Sequence, residues 1–119
     1  MNFSGKNILV VGASGGLGGE FVSSLIAAGA NVYGTAKSNE SATKISDQVA
    51  QKLLLDLESQ ESISTLANYL NSAVKLDGVI VTAGLVAFGL ATDTPNEIDS
   101  KLIQVNYRGP RDLLVALQP

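Results

Sequence analysis

The sequence predicts an α/β fold, a doubly wound parallel sheet of four strands in the order 3-2-1-4. Three observations predict it. Ile8, Leu9, Val10 and Val11 form a continuous apolar run, as in a strand buried on both faces. That run enters Gly12-Ala13-Ser14-Gly15-Gly16-Leu17-Gly18, and a helical pattern follows at once. Strand and helix patterns then alternate four times, with no repeat, low-complexity run or linker between them, so residues 1–119 read as one domain.

Each element has its own signal. A short polar lead-in, Asn2 to Lys6, precedes the first strand, Ile8 to Val11. The first helix is expected from Leu17 to Ala28, with Phe21, Leu25 and Ala28 spaced to face the sheet and Gly29 as its stop. Asn31 to Thr35 is the second strand, Ser38 to Ser41 a turn, and Ala42 to Gln48 a short, weak helix. Lys52 to Leu57 is the third strand. The next helix runs from Ser59 to Ala73. Ser59 and Ser62 lie at its cap, and Ile63, Leu66, Ala67 and Leu70 fall on one face. After the Asp77-Gly78 turn, Val79 to Thr82 is the fourth strand, and Leu85 to Thr94 is a loop. Pro95 suits a first helical position, with Thr94 as N-cap. A long helix follows from Asn96 towards Leu117, and Gly109-Pro110 should kink it.

Composition narrows the chemistry. The net charge is −3 without a basic run, which argues against a nucleic-acid surface. With no Cys and no His, a thiolate nucleophile, a disulfide framework, an ordinary zinc site and a histidine base are all excluded. Acid–base work would fall to Tyr, Lys, Asp or Glu. No apolar run approaches the ~20 residues of a membrane span, and Met1 to Lys6 is too short and polar for a secretory signal. A soluble cytoplasmic protein without a membrane partner is the expectation.

A strand, a glycine turn and a helix start, in that order, are what a nucleotide pyrophosphate needs. Glycines let backbone approach phosphate without a Cβ between them. A helix start offers unpaired N–H groups and the positive end of its dipole. Gly12, Ser14, Gly15, Gly16, Leu17 and Gly18 are therefore candidate cofactor contacts, against the plainer reading of a turn that only closes a strand–helix corner. About 20 residues on, where such folds read the adenosine ribose, stand Ala36, Lys37 and Ser38. An acid there would favour a free 2′-hydroxyl. Ala36 with Lys37 and Ser38 instead favours a 2′-phosphate, and so NADP(H) over NAD(H), unless Lys37 is only a solvated charge. Asp56, with Leu57, closes the third strand, where its carboxylate would accept from an adenine amino group or simply begin the next turn. Ala83 and Gly84 leave room for ribose and nicotinamide. Asn106, just before Gly109-Pro110, marks a distortion exposing a carbonyl or is merely an exposed residue near a kink.

The spacing Gly12-x-x-x-Gly16-x-Gly18, with Asp56, Thr82-Ala83-Gly84, Asn106 and Gly109 in order, resembles the short-chain dehydrogenase/reductase family over the whole chain. The resemblance implies a Rossmann-type, NAD(P)-binding oxidoreductase fold that moves hydride between nicotinamide and a carbonyl or alcohol carbon. It also implies adenine contact for Asp56 and a place for the Asn106 carbonyl in a proton relay. Three departures stand out. Val11 occupies the usual Thr position, and Val81 and Thr82 occupy two positions the family fills with Asn.

The family's catalytic Ser, Tyr and Lys find no match. Tyr33 precedes Lys37 by four residues, but across a strand end where helical spacing has no meaning. Tyr69 is followed by Ala73, and Tyr107 by Arg111 across Gly109-Pro110. The expectation is a truncated, cofactor-binding half of such an enzyme, with a free-standing nucleotide-binding half-domain and an inactive product as alternatives. Self-association through the exposed edge of the fourth strand or the helix from Asn96 is also expected. Of the substrate, only one apolar wall, with Val86 and Phe88, would come from these residues.

Overall fold

A computed structural model of the chain describes residues 2–85, 92 and 95–117. Its elements are β1 (Asn7–Val11), α1 (Gly16–Ala27), β2 (Asn31–Ala36), α2 (Asn39–Ala42), β3 (Gln51–Leu54), α3 (Gln60–Ala73), β4 (Gly78–Val81), α4 (Asn96–Ile103), a π-helical turn (Gln104–Arg108) and α5 (Gly109–Ala116). The strands pair in parallel in the order β3-β2-β1-β4. This is the predicted sheet, a Rossmann-type α/β fold.

Alternation along β1 separates two cores. Leu9 and Val11 join Leu55, Leu57, α3 and Leu113 on one face, while Ile8 and Val10 join Val22, Leu25, Val32 and Ile45 on the other. Every second side chain of a strand changes face, so a continuously apolar strand serves both layers. The α3 face is the predicted one: Ile63, Leu66, Ala67 and Leu70 are buried. Ser59 caps α3 by accepting from the Ser62 amide at 3.1 Å. At the end of α1, the amide of Ala30 donates to Leu25 and that of Gly29 to Ile26, each at 3.0 Å. Gly29 has φ +92°, the left-handed conformation this helix stop requires.

Five local expectations are corrected. The buried stripe of α1 is Gly18, Val22 and Leu25, one turn-face round from the expected one, and Phe21 lies at its exposed margin. The short helix occupies Asn39–Ala42 rather than Ala42 to Gln48, because Ser38 and Ser41 form a reciprocal cap that starts the helix early. β3 ends at Leu54, so Asp56 and Leu57 belong to the loop that follows it. Pro95 has extended backbone and is itself the N-cap of α4, while the expected cap Thr94 lies outside the described residues. The expected bend at Gly109-Pro110 takes the form of a π-turn just before it. Pro110 has no N–H for the Asn106 carbonyl, and Gly109 donates five residues back to Gln104. The loop wall of Val86 and Phe88 lies outside the described residues.

Candidate functional site

A cleft of about 380 Å³ opens at the C-terminal edge of the sheet, where the strand order reverses between β1, β2 and β4. Every cofactor-binding candidate lies on its wall: Gly12, Ser14, Gly15, Gly16, Leu17 and Gly18 from the glycine turn, Lys37 beyond β2, Asp56 and Leu57 beyond β3, Ala83 and Gly84 beyond β4.

The glycines divide into two kinds. Gly12 has φ +87°, and a Cβ there would meet the Ala83 amide nitrogen at 2.8 Å. A Cβ on Gly18 would collide with the Gly12 carbonyl oxygen. These two let the turn fold against β4 and let α1 rise from it. Gly16 has nothing within 4 Å of where its Cβ would be, and Gly15 only the Gly12 carbonyl oxygen at 3.6 Å. These two leave open space before the start of α1. That helix has Gly15 as N-cap, no side chain capping it and no acidic residue in its first turn. Its first N–H groups are therefore free of side-chain competition and face an open cradle, a fit for a pyrophosphate.

Two threonines brace this turn from either side. Thr35, buried in β2, accepts from the Gly12 amide at 3.2 Å, and its carbonyl accepts from Ala13 at 2.9 Å. The Thr82 hydroxyl reaches the Val11 carbonyl at 2.9 Å and the Gly12 carbonyl at 3.2 Å. Thr82 thus ties β4 to the turn from a position where the resembled family carries an amide. The sequence reading did not single out Thr35. Its signal was a lone Thr late in the second strand, between Gly34 and Ala36.

At the rim beyond β3, Asp56 has one carboxylate oxygen accepting from the Glu58 amide at 3.0 Å, while its own amide donates to Ser62 Oγ at 2.9 Å. The carboxylate therefore begins the turn into α3 and retains acceptor capacity towards the cleft. Lys37 Nζ lies 3.4 Å from Glu58 Oε2. Ser38 is engaged with Ser41 in the α2 cap, and Ser41 rather than Ser38 lines the cleft. At the rim beyond β4, Asn106 holds Leu85 at both ends. Its Oδ1 accepts from the Leu85 amide at 2.7 Å, and its Nδ2 donates to the Leu85 carbonyl at 2.8 Å. Gln104 donates to the Leu57 carbonyl at 3.0 Å, and a Cβ at Gly109 would lie 2.6 Å from that same oxygen. The π-turn thus rests on both rims of the cleft. Among the described residues no helix is long and apolar enough to cross a membrane, and no cluster of His, Cys, Asp or Glu could hold a metal.

A parallel sheet of this order, with a glycine-lined cleft at its reversal point, defines a dinucleotide-binding α/β protein. The family model for short chain dehydrogenases matches residues 6–119, and the chain belongs to that family of nicotinamide-dependent oxidoreductases. It is similar to the 3-oxoacyl-[acyl-carrier-protein] reductase FabG of Salmonella typhimurium, 34% identical over 110 residues, covering 89% of this chain and 45% of that protein. A short chain dehydrogenase from Salmonella enterica serovar Typhi superposes with a TM-score of 0.87 at 30% identity, over 98% of this chain and 53% of the other. The Pseudomonas aeruginosa RhlG/NADP active-site complex gives 0.86 at 27% identity, over 98% and 48%. The chain thus spans about half the length of the relatives it matches.

Proposed function

We propose that these residues form the NADP(H)-binding portion of a short-chain dehydrogenase/reductase, one domain over 1–119. The observation that carries it is the convergence of the glycine turn, Lys37, Asp56 and Ala83-Gly84 on one cleft. The α1 start and the open space at Gly15 and Gly16 would hold the pyrophosphate. Asp56 would accept from the adenine amino group, and Leu57 would cover the ring. Lys37 would meet a 2′-phosphate, with no acid at Ala36 to repel it. Ala83, Gly84 and Leu17 would border the nicotinamide end. When bound, the cofactor supplies hydride chemistry to or from a carbonyl or alcohol carbon. The NADP carried by the RhlG complex supports the phosphorylated form.

Within the family, the Asn106 carbonyl would serve as a relay partner, held in place by the side chain's two bonds to Leu85. No Tyr in these residues is followed four positions later by Lys on a helix. The 119 residues alone are therefore expected to bind without turnover, and carbonyl reduction by them would overturn this part of the reading. Isothermal titration tests the cofactor assignment: NADPH should bind more tightly than NADH. Ala36→Asp should shift the ratio towards NADH by at least tenfold, about 1.4 kcal/mol. An unchanged ratio would remove the assignment.

A further inference from the structure

Glu58 stands at the adenosine rim of the cleft, in the loop between β3 and α3. One of its oxygens, Oε2, lies 3.4 Å from Lys37 Nζ and 3.8 Å from Lys101 Nζ. Lys37 comes from the end of β2 and Lys101 from α4. Two ammonium groups from separate elements therefore share one carboxylate oxygen at the place where the second ribose position would lie. The Glu58 amide donates to the Asp56 carboxylate at 3.0 Å, which anchors the Glu58 backbone at this rim. Lys37 is the more exposed partner, with 65% of its side chain accessible against 34% for Glu58, so it is free to turn towards a ligand.

We propose that Glu58 is a specificity-determining residue that tunes how strongly Lys37 can favour a 2′-phosphate, with Lys101 as its counterweight. This rests on the NADP(H) reading above. Without ligand, Glu58 holds Lys37. When Lys37 turns to a 2′-phosphate, Glu58 is left beside an anion, and Lys101 offsets that repulsion. The triad carries a net charge of +1. Removing Glu58 raises it to +2, and removing Lys101 lowers it to zero. Charges separated by several ångströms near solvent change binding of a phosphate by about threefold each. The effect fades as salt screens it.

The test compares 2′,5′-ADP with 5′-AMP, which differ only in the 2′-phosphate, by calorimetric titration of the full chain in low-salt buffer at pH 8. The affinity ratio should rise about threefold in Glu58→Gln and fall about threefold in Lys101→Met, with Lys37→Met lowest. In the Glu58→Gln background, Lys101→Met should still lower the ratio about threefold, because both charges act on the phosphate through space. All three sites are on the surface, and a thermal melt establishes that each variant folds. If the parent protein favours 2′,5′-ADP but Glu58→Gln leaves the ratio unmoved, Glu58 has no such role and the NADP(H) reading survives. If the parent protein binds the two probes equally, the NADP(H) reading falls and the role of Glu58 falls with it.

Discussion

Single atoms decide what this cleft can hold. Gly18 and Gly16 are two residues apart, yet a methyl group at each has opposite consequences. Gly18→Ala drives a Cβ into the Gly12 carbonyl oxygen and should destabilise the fold by about 1–3 kcal/mol. Gly16→Ala meets nothing within 4 Å, so the fold should keep its stability while the cradle for phosphate narrows. Chemical denaturation beside a cofactor titration separates the two, and equal stability losses would contradict it. Thr35→Val removes the acceptor of the Gly12 amide without changing shape, and should cost about 1–3 kcal/mol in the same denaturation experiment. Away from the cleft, Asp47 accepts from Lys52 at 2.7 Å, and that bond with its attraction holds the Asp47 carboxyl below its ordinary value. A depressed folded-state pKa means the contribution is present above the unfolded-state value. It is lost as pH falls through the folded one, in acid below about 4. Lys52→Met should return the Asp47 titration, followed by carboxyl NMR, upward to the ordinary range.

At the scale of elements, the helical segment after β4 is shaped by Pro110. A straight helix would carry Pro110 with a missing donor and a ring against the Asn106 carbonyl. The π-turn absorbs both, and the extra residue in that turn accompanies Asn106 bonding to Leu85. Asn106→Ala should cost about 1 kcal/mol, since both bonds are solvent-accessible, and should shift the Leu85 amide resonance. An unmoved Leu85 signal would contradict the tether. The strand order, the α3 stripe, the Ser59 cap and the glycine turn that walls the cleft were legible in the sequence. Apolar periodicity and glycine placement are local signals. What escaped was set by partners far along the chain. Nothing near Glu58 announces Lys37 and Lys101. Nothing near Thr35 announces the Gly12 amide. The α1 stripe turned because Gly18, lacking a side chain, let the helix sit closer to the sheet on that side than Phe21 could. The Ser38–Ser41 cap was hidden by reading four polar residues as a turn.

For the molecule as a whole, the two layers on either side of β1 leave the sheet with β4 paired only to β1 among the described strands. Val79, Ile80 and Val81 are only half-buried there, and Ile103, Tyr107 and Leu114 are exposed on the helices that follow. We expect self-association through that edge or those helices, read as a mass above one chain by light scattering at micromolar concentration. A monomeric mass would count against it. One further property follows from the carbonyl of Leu57. It accepts from the Gln104 side-chain Nε2 and sits where a side chain at Gly109 would be, so the loop bearing Asp56 is keyed into the π-turn. Such a loop has no private motion. Its hydrogen-exchange clock should tick with that of the helix, so the amides around Leu57 and Gly109 should open at one common rate, and this rim of the cleft should unlatch only when the whole helical arm lifts.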